Sequence, residues 1–366
     1  MALDGLGGPL RRVHRPRTWD SNSPRIRLDK RPRRGNTARN AIDCDVRVTD
    51  MAVDWGVTGP IGWVGAGRMG SAMIGRLLEA GVPVTVYNRT RSKLEPLIAA
   101  GGKPADSLAE LTTLEVVFTT IAASDDLISV TLGDGGLLTQ EHAPSIIVDA
   151  STVSAETSAR VRLKAQERGV DLLAAPVSGN PGVARAGRLT FAVSGSRAAF
   201  ERVAPLLAAI GAGASYVGEG ELARLVKLCH NLFLGVVIQS LVEVTLLADK
   251  GGVSREAFLS YLNNSVMGST FTGYKTPALV SLDFHPTFTA KLLRKDMDLG
   301  LTAARELEVP MPVAALVGQI VSRLVGEGYG DEDFAALIAM QAPAAGVDLE
   351  QESGRARGLE RAEGSA

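Results

Sequence analysis

From Gly59 onward the chain alternates short apolar runs with longer stretches of helical periodicity, and no other feature narrows the fold as far. The runs IGWVG (residues 61–65), VTVYN (84–88), VVFTTI (116–121) and SIIVDA (145–150) lack the every-second-residue polarity of a strand with one wet face. They read as parallel strands buried on both faces, each followed by an amphipathic crossover helix. Two further runs, DLLAAPV (171–177) and LTFAVSG (189–195), extend the sheet. After about Glu221 the strand signal stops, and the chain to about Gln341 reads as helices broken at GG (251–252), HP (285–286) and VPMP (309–312). The stretch 232–248 is mostly apolar over 17 residues but carries Gln239, Ser240, Glu243 and Thr245, which suits a buried central helix better than a membrane span.

The turn after the first strand is Gly65-Ala66-Gly67-Arg68-Met69-Gly70, opening the helix MGSAMIGRLLEAG. In that placement the first Gly permits a tight turn, the second lets a pyrophosphate approach the backbone, and the third lets helix pack on strand. Phosphates would then face free N–H groups at the positive end of the helix dipole. The fold class expected is therefore α/β, an N-terminal Rossmann-type doubly wound sheet followed by an all-α C-terminal domain. The second strand ends, 23 residues after Gly65, in Asn88-Arg89-Thr90. An NAD-binding fold usually places an acid there for the ribose 2′-hydroxyl; here Arg89 and Thr90 are suited to cradle a 2′-phosphate. NADP(H) is the expected cofactor, with NAD(H) as the alternative.

Composition separates an arm from a body. Residues 1–50 hold 12 Lys/Arg against 6 Asp/Glu, which leaves 27 against 34 for the rest, so the body shows no nucleic-acid signature. The arm has too little apolar surface to offset its conformational entropy and lacks the apolar core of a signal peptide; disorder is expected, with Met51 as the physiological start. The expected organisation is a basic extension over 1–58, a dinucleotide-binding domain over 59–220, an all-helical substrate and dimerisation domain over 221–345, and a loose tail over 346–366. Two cysteines, Cys44 and Cys229, give no disulfide framework, and a cytoplasmic location follows as the expectation. The four histidines, His14, His142, His230 and His285, show no metal-ligand spacing.

Lys227, His230 and Asn231 lie at i, i+3 and i+4 in VKLCHN and share one helix face. On the residues alone, Lys227 in its apolar run reads either as a lysine snorkelling to solvent or as a buried amine titrating below its ordinary value, able to act as general acid/base. Likewise SGNPG around Ser178 is on its own simply a turn.

Taken together, GWVGAGRMGSAM, APVSGNPGVARAGRLT (175–190), VKLCHN (226–231) and LLRKDMDL (292–299) resemble, in order, the motifs of the β-hydroxyacid dehydrogenases, the group containing 3-hydroxyisobutyrate dehydrogenase and tartronate semialdehyde reductase. The resemblance runs over about residues 59–341. A 6-phosphogluconate dehydrogenase, a remoter member, would carry a longer helical C-terminal part. The chain departs from the family pattern at Ala174 (usually Asp), at Asn180 (usually a second Gly), and at Glu221 and Ala223, where glycines are common.

The resemblance implies a division of roles. Lys227 would be the proton-transfer residue, with Asn231 holding the substrate hydroxyl and orienting the lysine. Ser178, Gly179 and Asn180 would anchor a substrate carboxylate, with Ser151 near the substrate and His230 either touching it or making a structural hydrogen bond. Gly65, Ala66, Gly67, Arg68, Met69, Gly70, Asn88, Arg89, Thr90, Ile121, Ala122 and Thr152 would lie along the cofactor. Lys295 would close over the nicotinamide end, or else form a surface pair with Asp296. The activity implied is interconversion of a small β-hydroxyacid and its semialdehyde. Two other readings stay open, an imine reductase on the same fold and a non-catalytic dinucleotide sensor or interaction protein. A small carboxylate is the expected partner, without nucleic acid or membrane. The long apolar helix offers more hydrophobic face than one domain covers, so a homodimer or homotetramer is expected.

Overall fold

The computed structural model describes residues 55–349; the readings made for residues 1–54 and 350–366 lie outside them. The first part of this region builds β1 (Ile61–Val64), α1 (Arg68–Glu79), β2 (Val84–Tyr87), α2 (Glu95–Ala99), β3 (Lys103–Pro104), β4 (Val116–Thr119), α3 (Ser124–Leu132), β5 (Ile146–Asp149) and α4 (Ala155–Glu167). There follow β6 (Asp171–Ala174), β7 (Val177–Ser178), α5 (Pro181–Arg185), β8 (Thr190–Ser194), α6 (Arg197–Ile210) and β9 (Gly213–Gly218). The remainder is helical: α7 (Leu222–Lys250), α8 (Arg255–Asn264), α9 (Thr270–Ser281), α10 (Ala290–Glu306), α11 (Pro312–Gly326) and α12 (Leu337–Ala345).

Strands β1 to β6 are parallel and lie in the order β3-β2-β1-β4-β5-β6. That is a doubly wound sheet, and its order reverses between β1 and β4, where such folds collect ligands at the carboxyl ends of the strands. All residues of β1, β4 and β5 are buried, which explains their unbroken apolar character. Trp63 on β1 stacks on Phe118 on β4 with ring centroids 4.9 Å apart, tying together the two strands that flank the reversal.

Three features depart from the sequence reading. The run 171–177 is two strands, β6 and β7, and β8 runs antiparallel to both. A ninth strand, β9, pairs parallel with β8. Its residues, GASYVG, are half-exposed and carry glycine at both ends, so they give no apolar run to read. The helical region also breaks between α8 and α9, where Ser269 starts α9 with a capping box to Thr272.

Helix α7 is long and apolar enough to cross a bilayer by length and composition, but half of its most apolar window is buried in the protein. It packs against α10, α11 and α12. Two glycines bring α7 and α10 close. A Cβ at Gly235 would lie 2.9 Å from Met297 Sδ, and one at Gly300 would lie 2.7 Å from Leu232 Cγ. Each helix therefore receives a side chain of the other in a notch without a Cβ, which sets Asn231 beside Asp296. Helix α7 is fastened to the sheet at its start, where Ser194 Oγ of β8 accepts from the Ala223 N–H.

Candidate active site

The loop between β1 and α1 has the stereochemistry that its three glycines suggest. Gly65 has φ +100°, and a Cβ there would lie 2.2 Å from Thr120 O. A Cβ at Gly70 would lie 2.1 Å from Gly65 O, so helix and turn touch without a side chain between them. Around Gly67 there is open space, and this residue caps α1 with no side-chain hydrogen bond. The N-terminus of a twelve-residue helix thus presents its N–H groups to an empty approach, which fits the pyrophosphate of a dinucleotide.

Asn88 holds this loop in place. Its Oδ1 accepts from the Ala66 N–H (2.9 Å) and its Nδ2 donates to Thr90 O (2.7 Å), so its amide is committed to protein. Arg89 projects into solvent, 89% exposed, with Asp126 Oδ1 at 3.7 Å as its carboxylate neighbour. Arg91 is paired with Asp106. Met69 packs against the core, and Arg68 Nη1 donates to Pro286 O (2.5 Å), tying the loop to the segment between α9 and α10.

At the end of β5 the polar groups are bound into one buried cluster. Asp149 accepts from Thr119 Oγ1 and Ser151 Oγ, each at 2.6 Å, and pairs with Arg224 Nη2 at 2.5 Å. Arg224 also donates to Ser151 O. The Ser151 hydroxyl, donating to Asp149 and accepting from the Ile121 N–H, faces neither cleft nor solvent. It joins the ends of β4 and β5. Thr152, half-buried, offers its carbonyl to Lys295 Nζ (3.0 Å), which also lies 3.2 Å from Asp296 Oδ1; Ala122, shortly after β4, is exposed. Lys295 thus makes the charge pair with Asp296 and reaches across to the sheet as well.

The helix face carrying Lys227, His230 and Asn231 meets β7 and α10. Asn231 is 1% exposed, and its Nδ2 donates to Asp296 Oδ2 at 2.5 Å. Because a carboxylate only accepts, this contact turns Asn231 Oδ1 toward His230 Nδ1 (2.8 Å), which must then carry the proton. His230 Nε2 is left as an acceptor, and the Ser178 hydroxyl donates to it at 2.9 Å. Burial, with the charge of Lys227, holds His230 below its ordinary value and keeps it neutral, while the Asn231 contact opposes this. His230 thus stands in a hydrogen-bonded chain from Asp296 through Asn231 to Ser178. Ser178 accordingly offers lone pairs to the cleft in this arrangement, and its O–H is not free for a carboxylate.

Lys227 Nζ donates to Val177 O at 2.8 Å. Burial pushes the ammonium down to about 8, opposed by Asp296 and aided by the like charge of Lys295. It is therefore an amine that gains and loses a proton near neutral pH, with two of its three N–H positions unassigned. Gly179 has φ +132°, and a Cβ would lie 2.7 Å from Leu189 Cδ2 and 2.8 Å from Val183 Cγ1. Asn180 departs from the family's glycine for a local reason: its Oδ1 caps α5 by accepting from the Val183 N–H (2.9 Å). Ser178, Gly179, Asn180, Lys227, His230 and Asn231 all line one cleft of about 550 Å³ between the sheet and the helices.

Comparison with known proteins identifies the family. Residues 60–218 match the NAD binding domain of 6-phosphogluconate dehydrogenase, and residues 221–341 match the NAD-binding domain of NADP-dependent 3-hydroxyisobutyrate dehydrogenase. A 2-(hydroxymethyl)glutarate dehydrogenase from Eubacterium barkeri is 32% identical over 79% of this chain and 97% of its own. A 3-hydroxyisobutyrate dehydrogenase from Pseudomonas aeruginosa is 31% identical over 72% of this chain and 91% of its own. The chain belongs to the β-hydroxyacid dehydrogenase family. It is an NAD(P)-dependent oxidoreductase acting on CH–OH groups. The solved structure of Psf3 in complex with NADP+ and 2-OPP is 27% identical, with a TM-score of 0.71, over 76% of this chain and 99% of that one.

Within this dehydrogenase two buried groups escaped the sequence reading. Asp296, 2% exposed, orients Asn231, and its only sequence signal was its place in RKD beside Lys295. The Asp149–Arg224 pair joins the sheet to α7 one turn before Lys227, yet its members are 75 residues apart in sequence and no local pattern connects them. Among the described residues no group of three or more His, Cys, Asp or Glu is placed to hold a metal ion.

Proposed function

We propose that this dehydrogenase interconverts a small β-hydroxyacid and its semialdehyde, with NADP(H) preferred and Lys227 as the proton-transfer residue. The observation that carries the proposal is the Lys227 ammonium, pushed by desolvation from its ordinary value down to about 8 in the cleft that also holds Ser178, Gly179, Asn180 and Asn231. A dinucleotide would be held by the Gly65–Gly70 loop, by Asn88, Arg89 and Thr90 at the end of β2, and by Ile121, Ala122 and Thr152 at the ends of β4 and β5. When bound, the nicotinamide supplies or accepts the hydride. The protein's own part is binding, orientation and proton transfer. Among the described residues the backbone N–H groups of Gly179 and Asn180 have no acceptor, and they suit a substrate carboxylate. Asn231, fixed by Asp296, sets the direction of approach to Lys227. Lys227 gives its proton to the oxygen of the carbonyl that is reduced, or takes it from the hydroxyl that is oxidised, and in the ammonium form it stabilises the developing alkoxide.

NADP(H) preference is supported by the absence of an acid at Asn88-Arg89-Thr90 and by an Arg89 guanidinium that is exposed rather than buried in an ion pair. A relative in the family, Psf3, binds NADP+. The retained Lys227 favours hydroxyacid chemistry over the imine-reductase reading, whose members usually carry another residue there, and over a non-catalytic sensor. Apolar side chains exposed on α7, Phe233 (69%) and Leu247 (73%) among them, support a homodimer or homotetramer.

The test is a panel of methylmalonate, succinic and tartronate semialdehydes, glyoxylate and their hydroxyacids, assayed with both cofactors. Turnover of a β-hydroxyacid pair, lost by orders of magnitude in Lys227→Ala with NADPH affinity nearly intact, is expected. Turnover that survives Lys227→Ala would contradict the assignment. Arg89→Ala should erase the NADP(H) preference, and an unchanged ratio of the two Michaelis constants would remove that part of the proposal.

A further inference from the structure

We propose that a groove along the outer face of α1 binds a small metabolite through a multivalent oxyanion, a polyphosphate or a polycarboxylate. This site is additional to the dinucleotide path and to the cleft of Lys227, and it does not rest on the function proposed for them.

The groove has a volume of about 750 Å³ and follows Arg68, Ser71, Ala72, Gly75, Arg76 and Glu79 down α1. These positions recur at three- and four-residue spacing and so share one helix face. Helix α2, helix α5 and the segment 285–287 close its other sides. Of the residues assigned above to the dinucleotide only Arg68 lines it, and Ser178, Lys227 and Asn231 do not. A concavity walled by helices suits a small molecule better than an extended nucleic acid.

Its charge is out of keeping with the body around it. Four arginines, Arg68, Arg76, Arg185 and Arg188, line the groove against one carboxylate, Glu79. Outside residues 1–50 the chain holds 27 Lys/Arg against 34 Asp/Glu, so this excess of cations is local. Elsewhere arginines meet acids, as in Arg91–Asp106, Arg162–Glu221 and Arg197–Glu201. Here Arg76 Nη1 pairs with Glu79 at 2.6 Å, and Arg68 meets the uncharged Pro286 carbonyl. The guanidiniums of Arg185 and Arg188, both exposed, have no acceptor among the described residues. The turn between α5 and β8 draws these charges together. Gly187 stands between Arg185 and Arg188 with φ +64°, and a Cβ there would lie 3.2 Å from Arg76 Nη2 and 3.4 Å from its Cζ. The Arg76 guanidinium therefore rests on the turn that carries the two unmatched arginines. Like charges so placed repel, and a multivalent anion among them turns that repulsion into attraction. Guanidinium forks match the oxygens of phosphate and carboxylate alike.

Isothermal titration of the protein saturated with NADP+ tests this, because the dinucleotide site is then filled. Inorganic triphosphate and citrate are compared with monophosphate at low salt. At least one of the two should bind one-to-one and about tenfold more tightly than monophosphate, and the stronger of them names the ligand's anionic group. The preference should shrink with added salt. Arg185→Ala should weaken the binding about tenfold, with native circular dichroism, and Arg185→Lys should keep part of it. Glu79→Gln, which removes the groove's one acid, should tighten it several-fold; a merely structural role for these side chains would not give opposite signs. Equal affinities for triphosphate, citrate and monophosphate would overturn the proposal. So would affinities unchanged in Arg185→Ala and Glu79→Gln, release of NADP+ as the source of the signal, or a short oligonucleotide that binds more tightly than triphosphate.

Discussion

Replacing Lys227 by methionine isolates the energetic cost of the buried amine. Moving a lysine from its ordinary value of 10.5 to about 8 corresponds to about 3.5 kcal/mol, at ~1.4 kcal/mol per pH unit. Below pH 8 both folded and unfolded chains carry the proton, and the folded state bears that whole cost. Between pH 8 and 10.5 the unfolded chain still holds the proton and the folded chain has released it, so stability rises with pH through this window. Methionine has no such dependence. It also leaves Val177 O without its donor, a loss of about 1–3 kcal/mol that does not change with pH. The informative quantity is therefore the wild-type-minus-variant difference, in which other titrations cancel. Chemical denaturation at several pH values should show that difference moving in favour of the wild type by about 2 kcal/mol between pH 7 and 9.5. A difference that stays flat across this range, or moves the other way, would refute the desolvated-amine argument.

Other expectations follow from single contacts. In Gly179→Ala the new Cβ meets Leu189 and Val183 in a positive-φ conformation; kcat/KM should fall more than tenfold while circular dichroism stays native. Arg224→Leu strands the buried Asp149 carboxylate and should destabilise the protein by about 3–5 kcal/mol, with much of the loss recovered in the Asp149→Leu, Arg224→Leu double variant, as read by denaturant midpoints. Asp296→Asn removes the carboxylate that holds the Lys227 value up, so the inflection in the pH–rate profile should move below 8.

The sheet and the cofactor loop were legible because their causes are local. A buried parallel strand needs an unbroken apolar run, as in residues 61–65, and a dinucleotide turn needs its glycines at fixed spacing. The face shared by Lys227, His230 and Asn231 follows from helical periodicity in the same way. What the chain does not announce is pairing at a distance. Strand β9 exists because β8 offers it a partner, not because GASYVG is apolar. The bonds that tie Ser151 to Ile121 and Arg224 likewise join residues far apart in sequence. Asn180 looks like a departure from a binding glycine, and its reason, capping α5, appears only with the helix. Asp296 sits 65 residues beyond Asn231, and the notches at Gly235 and Gly300 that let them meet leave no periodic trace.

The central claim is that one amine at the seam of sheet and helices passes the proton to and from the substrate oxygen. It is tested most directly by the pH dependence of kcat/KM in both directions with the cofactor-loaded enzyme. Oxidation of the hydroxyacid should rise with pH to a plateau with an inflection near 8, as Lys227 becomes the free base, and reduction of the semialdehyde should fall through the same inflection. Profiles without an inflection between pH 6 and 9.5, or rising together in both directions, would contradict the account.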